Sequence, residues 1–164
     1  MKKKLEIQLS KLKQLEEFDL DLEQYTTDSS QASEILLWAY NNRDIEKMSD
    51  NWLQSDEIAM DNPLGGIKRG WQEIKSVYER IFNGSAKVYV EFYDYSIHEG
   101  KDIFYAVGRE RGKFQIGELS IDLAIRTSRI FKLMNGEWKQ VHHHGSIEDV
   151  NLLDRYQRAI RGEN

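Results

Sequence analysis

The side chains best suited to proton transfer lie in the segment SRIFKLMNGEWKQVHHHGS, which holds three of the four histidines. Asn135-Gly136 between two apolar-rich runs predicts a β-hairpin, because this two-residue turn needs positive φ at both positions. Side chains alternate along a strand, so we expect His142 and His144 on one face and His143 on the other, toward solvent or a subunit contact. Histidine changes charge near neutral pH. His142 and His144 would therefore line a pocket as proton carriers, or form the polar end of a core.

A His-x-His pair is also a spacing at which two side chains can bind one metal ion. A zinc or iron site needs at least a third ligand. The chain has no cysteine, so that ligand would have to come from Asp94, Glu110 or Asp122 on neighbouring predicted strands. The sequence singles out none of these three carboxylates. We therefore predict no metal site and no cofactor.

One carboxylate and two arginines complete the set of candidate site residues. Asp61 ends a short predicted strand directly before Asn62 and Pro63. As a pocket carboxylate it would act as a general base; the alternative is a turn residue that accepts hydrogen bonds from nearby amides. Arg109 and Arg129 lie on the two central predicted strands, where a guanidinium inside a pocket would pair bidentately with a carboxylate ligand. The alternative for both is surface pairing with acidic neighbours.

Composition narrows the classes of protein that this chain can represent. Its 164 residues suit one domain with a single sizeable core. The net charge of −5 argues against binding to nucleic acid or to an anionic membrane as the main role. The absence of cysteine excludes disulfides and fits a reducing compartment. With no signal peptide and no apolar run that could span a bilayer, we expect a cytoplasmic protein.

Helical and two-residue periods divide the chain into helices followed by strands. Residues 1–31 are predicted to form an amphipathic, leucine-striped helix and a polar linker, with Ser33 as the cap of the next helix. Residues 32–164 are predicted to form an α+β domain, with helices on one face of a largely antiparallel sheet. Within it we expect a helix at 69–82, strands at 87–98, 102–110, 119–134 and 137–145, and a closing helix at 147–160.

Three segments, in this order, resemble the nuclear transport factor 2-like superfamily: AYNNRDIEKMSDNWLQSDEIAMDNPLGG, GWQEIKSVYERIF and SRIFKLMNGEWKQVHHHGS. The resemblance is to its SnoaL-like and ketosteroid-isomerase-like branch, and to the association domain of calcium/calmodulin-dependent protein kinase II. It extends over about 33–146 and implies a cone-shaped, curved antiparallel sheet around an internal pocket, the cystatin-like α+β roll. Ketosteroid isomerases carry an aspartate base directly before the proline. Asn62 stands there in this chain, so that mechanism is not carried over.

The resemblance also implies roles for the candidate residues. The helices that carry Trp38 and Tyr78 would cap the cone, and Arg129 matches an arginine of the family's pocket strand. We therefore expect a SnoaL-like homodimer that binds a hydrophobic, acidic or carbonyl-bearing small molecule, with isomerase, cyclase or dehydratase chemistry as one outcome. The alternative is a non-catalytic oligomerisation or regulatory module. The predicted catalytic residues are Asp61 and His142, and the predicted ligand-binding residues are Trp38, Tyr78, Arg109, Arg129 and His144.

Overall fold

The structure of the chain is a computed structural model that describes residues 29–163. The predicted N-terminal helix falls in residues 1–28 and lies outside the described residues. The first described helix begins at Ser29, four residues before the cap expected at Ser33. Within this part of the chain, no helix is both long and apolar enough to cross a membrane. In chain order the elements are α1 (Ser29–Asn41), α2 (Ile45–Asn51), β1 (Ala59–Asp61), β2 (Ile67–Arg69), α3 (Gly70–Asn83), β3 (Lys87–Glu99), β4 (Ile103–Ile116), β5 (Leu119–Met134), β6 (Glu137–Ser146) and α4 (Val150–Arg161).

The six strands form one curved sheet in the order β2-β1-β6-β5-β4-β3. Neighbouring strands are antiparallel, except that β1 and β6 run parallel. The hairpin between β5 and β6 turns at Asn135 and Gly136, whose φ angles of 54° and 88° are those that the Asn-Gly pair predicts. The predicted α+β class, with helices packed on a largely antiparallel sheet, is confirmed.

The two faces of the sheet differ sharply in burial. Along β5, Ile121, Leu123 and Ile125 are buried, whereas Asp122 and Arg126 are exposed. We call the buried side, which packs against the helices, the inner face, and the other side the outer face. Each Å² of apolar surface removed from water contributes roughly 25 cal/mol. This burial therefore specifies the register, because a slip by one residue would move every apolar side chain to the outer face.

The corner between α1 and α2 is fastened to the end of α3. Asp44 caps α2 by accepting a hydrogen bond from the amide of Lys47 at 2.9 Å. The neighbouring Arg43 has a positive φ of 57°. Its guanidinium donates to the carbonyl oxygens of Phe82 at 3.0 Å and Ala86 at 2.5 Å. These bonds hold the C-terminal end of α3 beside the helices that cover the inner face.

Strand β6 contains a one-residue bulge. Phe131 pairs with Gln140 and the preceding Ile130 pairs with His142, which leaves Val141 without a partner on β5. An extra residue in one strand shifts the two-residue period by one position. The side chains beyond the bulge therefore lie on the opposite face from the one that simple alternation predicts.

Candidate functional site

The helices and the inner face of the sheet enclose a cavity of about 350 Å³. Its wall is mostly apolar and combines side chains from the helices with side chains from β3, β4 and β5. Cavities of this size, with an apolar wall and a few convergent polar groups, are typical of sites for small organic molecules. The most buried apolar residues of the wall are Leu36, Met60, Val77, Val90, Phe114, Leu123 and Ile125.

The entrance to the cavity lies between the C-terminal ends of α3 and α4. Arg80, Ser85 and Ile160 belong to the wall and are exposed to solvent. The amide of Gln157 donates to the carbonyl oxygen of Leu64 at 2.8 Å and holds α4 beside this entrance. A ligand would therefore enter past the two helix ends and reach the sheet with its innermost group.

Three buried polar side chains form a cluster at the inner end of the cavity. The guanidinium of Arg129 donates through Nη2 to Oε1 of Glu110 at 2.5 Å and through Nη1 to Oε1 of Gln140 at 3.1 Å. The ion-paired side chains are only 4% and 5% exposed. Burying an unpaired charge is costly, so each of these two charges requires the other. The cluster thus places a paired guanidinium and carboxylate in a mostly apolar wall.

The cluster has hydrogen-bonding capacity to spare. Among the described residues, Arg129 Nε and Gln140 Nε2 are buried donors without an acceptor. A buried polar group without a partner costs about 1–3 kcal/mol. Arg129 also belongs to the cavity wall, and its Nε–H is a donor that no described residue uses.

His143 is the imidazole that lines the cavity. It pairs directly across the sheet with Arg129 on the inner face. Both of its ring nitrogens are buried and have no hydrogen-bond partner among residues 29–163. Burial, followed by the positive charge of Arg129, lowers the pKa of His143 well below its usual value. The ring is therefore neutral at physiological pH, with one nitrogen as donor and the other as acceptor.

Three tyrosines also line the cavity, the buried Tyr78 and Tyr156 and the partly buried Tyr40. Burial raises the pKa of Tyr78 to about 12, and the guanidinium of Arg129 opposes part of that rise. Burial likewise raises the pKa of Tyr156 to about 12, and that of Tyr40 well above its usual value. All three remain protonated hydroxyls at neutral pH.

The expectation that His143 faces solvent or a subunit contact is wrong, because the bulge at Val141 reverses the faces of the three histidines. His142 and His144 lie on the outer face instead. Nδ1 of His144 lies 3.0 Å from Oδ2 of Asp61, which is its register partner on β1. The residues predicted as catalytic, Asp61 and His142, are therefore absent from the cavity wall, and so is His144.

The other predicted ligand-binding residues divide between the cavity and the surface. Tyr78 and Arg129 line the cavity together. Arg109 is half-exposed on the outer face, where its guanidinium pairs with Glu148 at 3.3 Å and Asp94 at 3.8 Å. This is the surface pairing that sequence analysis held as its alternative.

Trp38, the remaining predicted ligand-binding residue, is only partly buried and packs at the edge of the helical core. It is not part of the cavity wall. The ammonium of Lys47 lies over its ring at 5.3 Å from the ring centre. In the part of the chain that the structure describes, no three His, Asp or Glu side chains are placed to hold a metal ion.

The lowered pKa of His143 predicts that acid destabilises the fold. Below about pH 6.5, the ordinary pKa of histidine, the unfolded chain takes up a proton that the folded chain does not. Stability is therefore full above this pH and falls progressively as the pH is lowered from 7.5 to 5.5. Urea unfolding at the two pH values measures the loss. His143→Gln should reduce it, whereas the outer-face control His142→Gln should not; equal losses in both variants would contradict the assignment.

The chain belongs to the SnoaL-like domain family, whose model matches residues 31–149. The resemblance to the nuclear transport factor 2-like superfamily, in its SnoaL-like branch, is thereby confirmed. No curated protein matches the chain. Solved structures that are similar to it share the fold at low sequence identity.

One similar structure is a dehydratase candidate of the NTF2-like family from Streptomyces avermitilis, with 15% identity and a TM-score of 0.67 over 73% of this chain and 94% of that one. Another is the association domain of calcium/calmodulin-dependent protein kinase II of C. elegans, with 22% identity and a TM-score of 0.59 over 72% of this chain and 92% of that one. A third, from Caulobacter vibrioides, is an uncharacterised protein with a cystatin-like fold, with 14% identity and a TM-score of 0.60 over 80% of this chain and 94% of that one.

Proposed function

We propose that this SnoaL-like protein binds a small, mainly apolar molecule in the cavity, with a carbonyl or carboxyl group held against His143 and Arg129. The observation that carries the proposal is the buried imidazole of His143, which lines the cavity with both ring nitrogens unpaired. Buried polar groups in native proteins are almost always hydrogen-bonded. A ligand carbonyl or carboxylate oxygen at this point would accept from the ring N–H of His143 and from the unpaired Nε–H of Arg129.

The same arrangement supports proton-transfer chemistry on the bound molecule. The role of proton carrier, predicted for His142, is assigned in this proposal to His143, which would accept a proton from carbon beside a carbonyl. Its lowered pKa makes the free imidazole a weak base, so the transfer depends on the negative charge that develops on the ligand to stabilise the imidazolium. The guanidinium of Arg129 would stabilise the negative charge that develops on the carbonyl oxygen. Isomerisation, aldol-type cyclisation and dehydration of a β-hydroxy carbonyl compound each have a route that begins with such a step. We also propose that the protein is located in the cytoplasm.

Ligand binding and the role of His143 can be tested together. A panel of naphthalene- to steroid-sized compounds with one carbonyl or carboxyl group should raise the melting temperature, because a ligand that binds only the folded state stabilises it. His143→Leu, which keeps a similar volume and removes the ring nitrogens, should weaken binding by about tenfold or more. His142→Leu, on the outer face, should bind as the wild type does. Unchanged affinity of His143→Leu, or no shift from any compound, would refute the proposal.

Catalysis has a separate readout on the compounds that bind. In D₂O, abstraction of a proton next to the carbonyl exchanges it for deuterium, which NMR of the ligand detects. Removal of a general base typically slows such a step by about 10²–10⁴-fold. We therefore expect exchange with the wild type and with His142→Leu, and loss of exchange with His143→Leu. If His143→Leu still exchanges the proton, His143 is not the base, and binding alone remains as the proposed function.

Exposed apolar residues on the outer face favour self-association as a second candidate function. They lie on β3 and β4, the two strands at one edge of the sheet. Soluble monomers rarely expose a large contiguous apolar patch. A second copy of the chain would bury this surface, and sedimentation velocity of the wild type distinguishes a homodimer from a monomer. The exposed residues are Tyr89, Ile103, Tyr105 and Val107.

A further inference from the structure

We propose that Glu110 decides the charge of the ligand: with Glu110 present the cavity accepts a neutral carbonyl compound, and without it the cavity accepts a carboxylate. This inference rests on the proposed function, because it concerns the molecule bound against Arg129 and His143. It differs from the expectation that Arg129 itself recruits an acidic ligand. The reason lies in how Glu110 occupies the guanidinium.

The charges that line the cavity cancel at its inner end. Glu110 and Arg129 form a buried ion pair with 2.5 Å between Nη2 and Oε1. His143 faces the same cavity from the neighbouring strand and carries no charge when neutral. The one other charged residue among the described residues of the wall is Arg80, which is exposed at the entrance.

A carboxylate placed beside this pair would lose its hydration without an equivalent gain. Its attraction to Arg129 is opposed by repulsion from Glu110 at a similar distance. Water would no longer solvate the charge, and the mainly apolar wall does not replace that solvation. A ketone or an ester has no charge to desolvate and avoids this cost.

The hydrogen-bond donors that remain also match a carbonyl group. Glu110 and Gln140 each accept from one N–H of Nη2 and Nη1 of Arg129, and Nε–H has no acceptor among the described residues. Neutral His143 offers one N–H more. Nε–H of Arg129 and one ring N–H of His143 would fill the two lone pairs of a carbonyl oxygen.

Replacement of Glu110 by glutamine removes the negative charge that balances Arg129 and that repels a carboxylate. Glutamine has nearly the same shape, but it leaves the positive charge of Arg129 without a counter-ion. A buried, unpaired guanidinium binds a carboxylate through charge-assisted, bidentate hydrogen bonds. The variant should therefore gain affinity for acids and lose its preference for ketones.

The test compares 2-acetylnaphthalene, methyl 2-naphthoate and 2-naphthoate, which share one ring system and differ in the polar group. For the wild type at pH 7.5 we expect the ketone and the ester to bind at least about tenfold more tightly than the acid, measured by calorimetry. For Glu110→Gln we expect the acid to bind more tightly than the ketone. Glu148→Gln, the matched control, removes a carboxylate that pairs with Arg126 outside the cavity wall and should keep the wild-type order.

The outcomes separate this inference from the proposed function. Binding of none of the three compounds to the wild type counts against the proposed function, and against this inference with it. Tighter binding of the acid than of the ketone by the wild type overturns the inference alone. So does a ketone-to-acid ratio that changes with Glu148→Gln rather than with Glu110→Gln. If Glu110→Gln does not fold, the wild-type ranking of ester and acid still decides, because these two differ mainly in charge.

Discussion

Arg129→Met is expected to lower the free energy of unfolding by about 3–5 kcal/mol, because it leaves the carboxylate of Glu110 buried without its partner. The guanidinium and the carboxylate are 4% and 5% exposed, so water cannot replace the lost contact. Gln140 would lose its hydrogen bond to Arg129 as well. Urea or guanidinium denaturation of the wild type and the variant measures the difference.

The double variant Glu110→Met/Arg129→Met distinguishes two contributions to stability: the cost of leaving one buried charge unpaired, and the net contribution of the intact ion pair. Replacement of a whole buried ion pair by apolar residues of similar volume is often neutral or stabilising. We therefore expect the double variant to recover most of the stability that Arg129→Met loses. Arg126→Met removes an arginine from the same strand, but its half-exposed pair with Glu148 should be worth less than about 1 kcal/mol. If the double variant loses as much free energy of unfolding as Arg129→Met and Glu110→Met lose together, this account is refuted.

Periodic patterns in the sequence predict most of the fold. The strand expected at 119–134 is β5, which runs Leu119–Met134, and the helix expected at 69–82 is α3, which runs Gly70–Asn83. These long elements each bury one continuous apolar face, which is the signal that periodicity detects. The short strand β2 (Ile67–Arg69) has three residues and no such signal, and it forms because β1 lies beside it.

The candidate site was less predictable, because its decisive side chain depends on a bulge. Alternation assigns faces only while every residue has a partner, and Val141 breaks that condition. His143 therefore lines the cavity in place of His142. Asp61 lies outside the cavity for the same reason, because its register partner on β6 is His144, which faces outward beyond the bulge.

Glu110 could have been found from the sequence. It lies in phase with Phe104, Ala106 and Phe114, which are buried on the inner face of β4. A carboxylate at an apolar phase of a strand indicates a buried partner of opposite charge. The strand predicted at 102–110 stops at Glu110. The alternation of buried and exposed residues around Glu110 becomes clear only when the strand continues to Ile116, as β4 does. Arg109 precedes it and therefore faces outward.

Gly112→Ala is expected to lower the free energy of unfolding by about 3 kcal/mol or more, because β3 lies directly against Gly112. A Cβ at this position would lie 1.8 Å from the carbonyl oxygen of Tyr89 and 2.9 Å from Cα of Val90. Both are backbone atoms, so no side-chain rotation relieves the clash. The strand β3 would have to move away from β4, which reduces the curvature of the sheet.

The matched control is Gly117→Ala in the turn between β4 and β5. A Cβ there meets nothing within 4 Å, so only its positive φ of 55° opposes the substitution, at roughly 1–2 kcal/mol. Denaturation curves of the two variants compare the clash with backbone strain alone. Val90 and Phe114 flank Gly112 in space and line the cavity, so Gly112→Ala should also weaken ligand binding, whereas Gly117→Ala should not. Equal stability losses in the two variants would show that close approach of β3 to Gly112 does not maintain the curved sheet around the cavity.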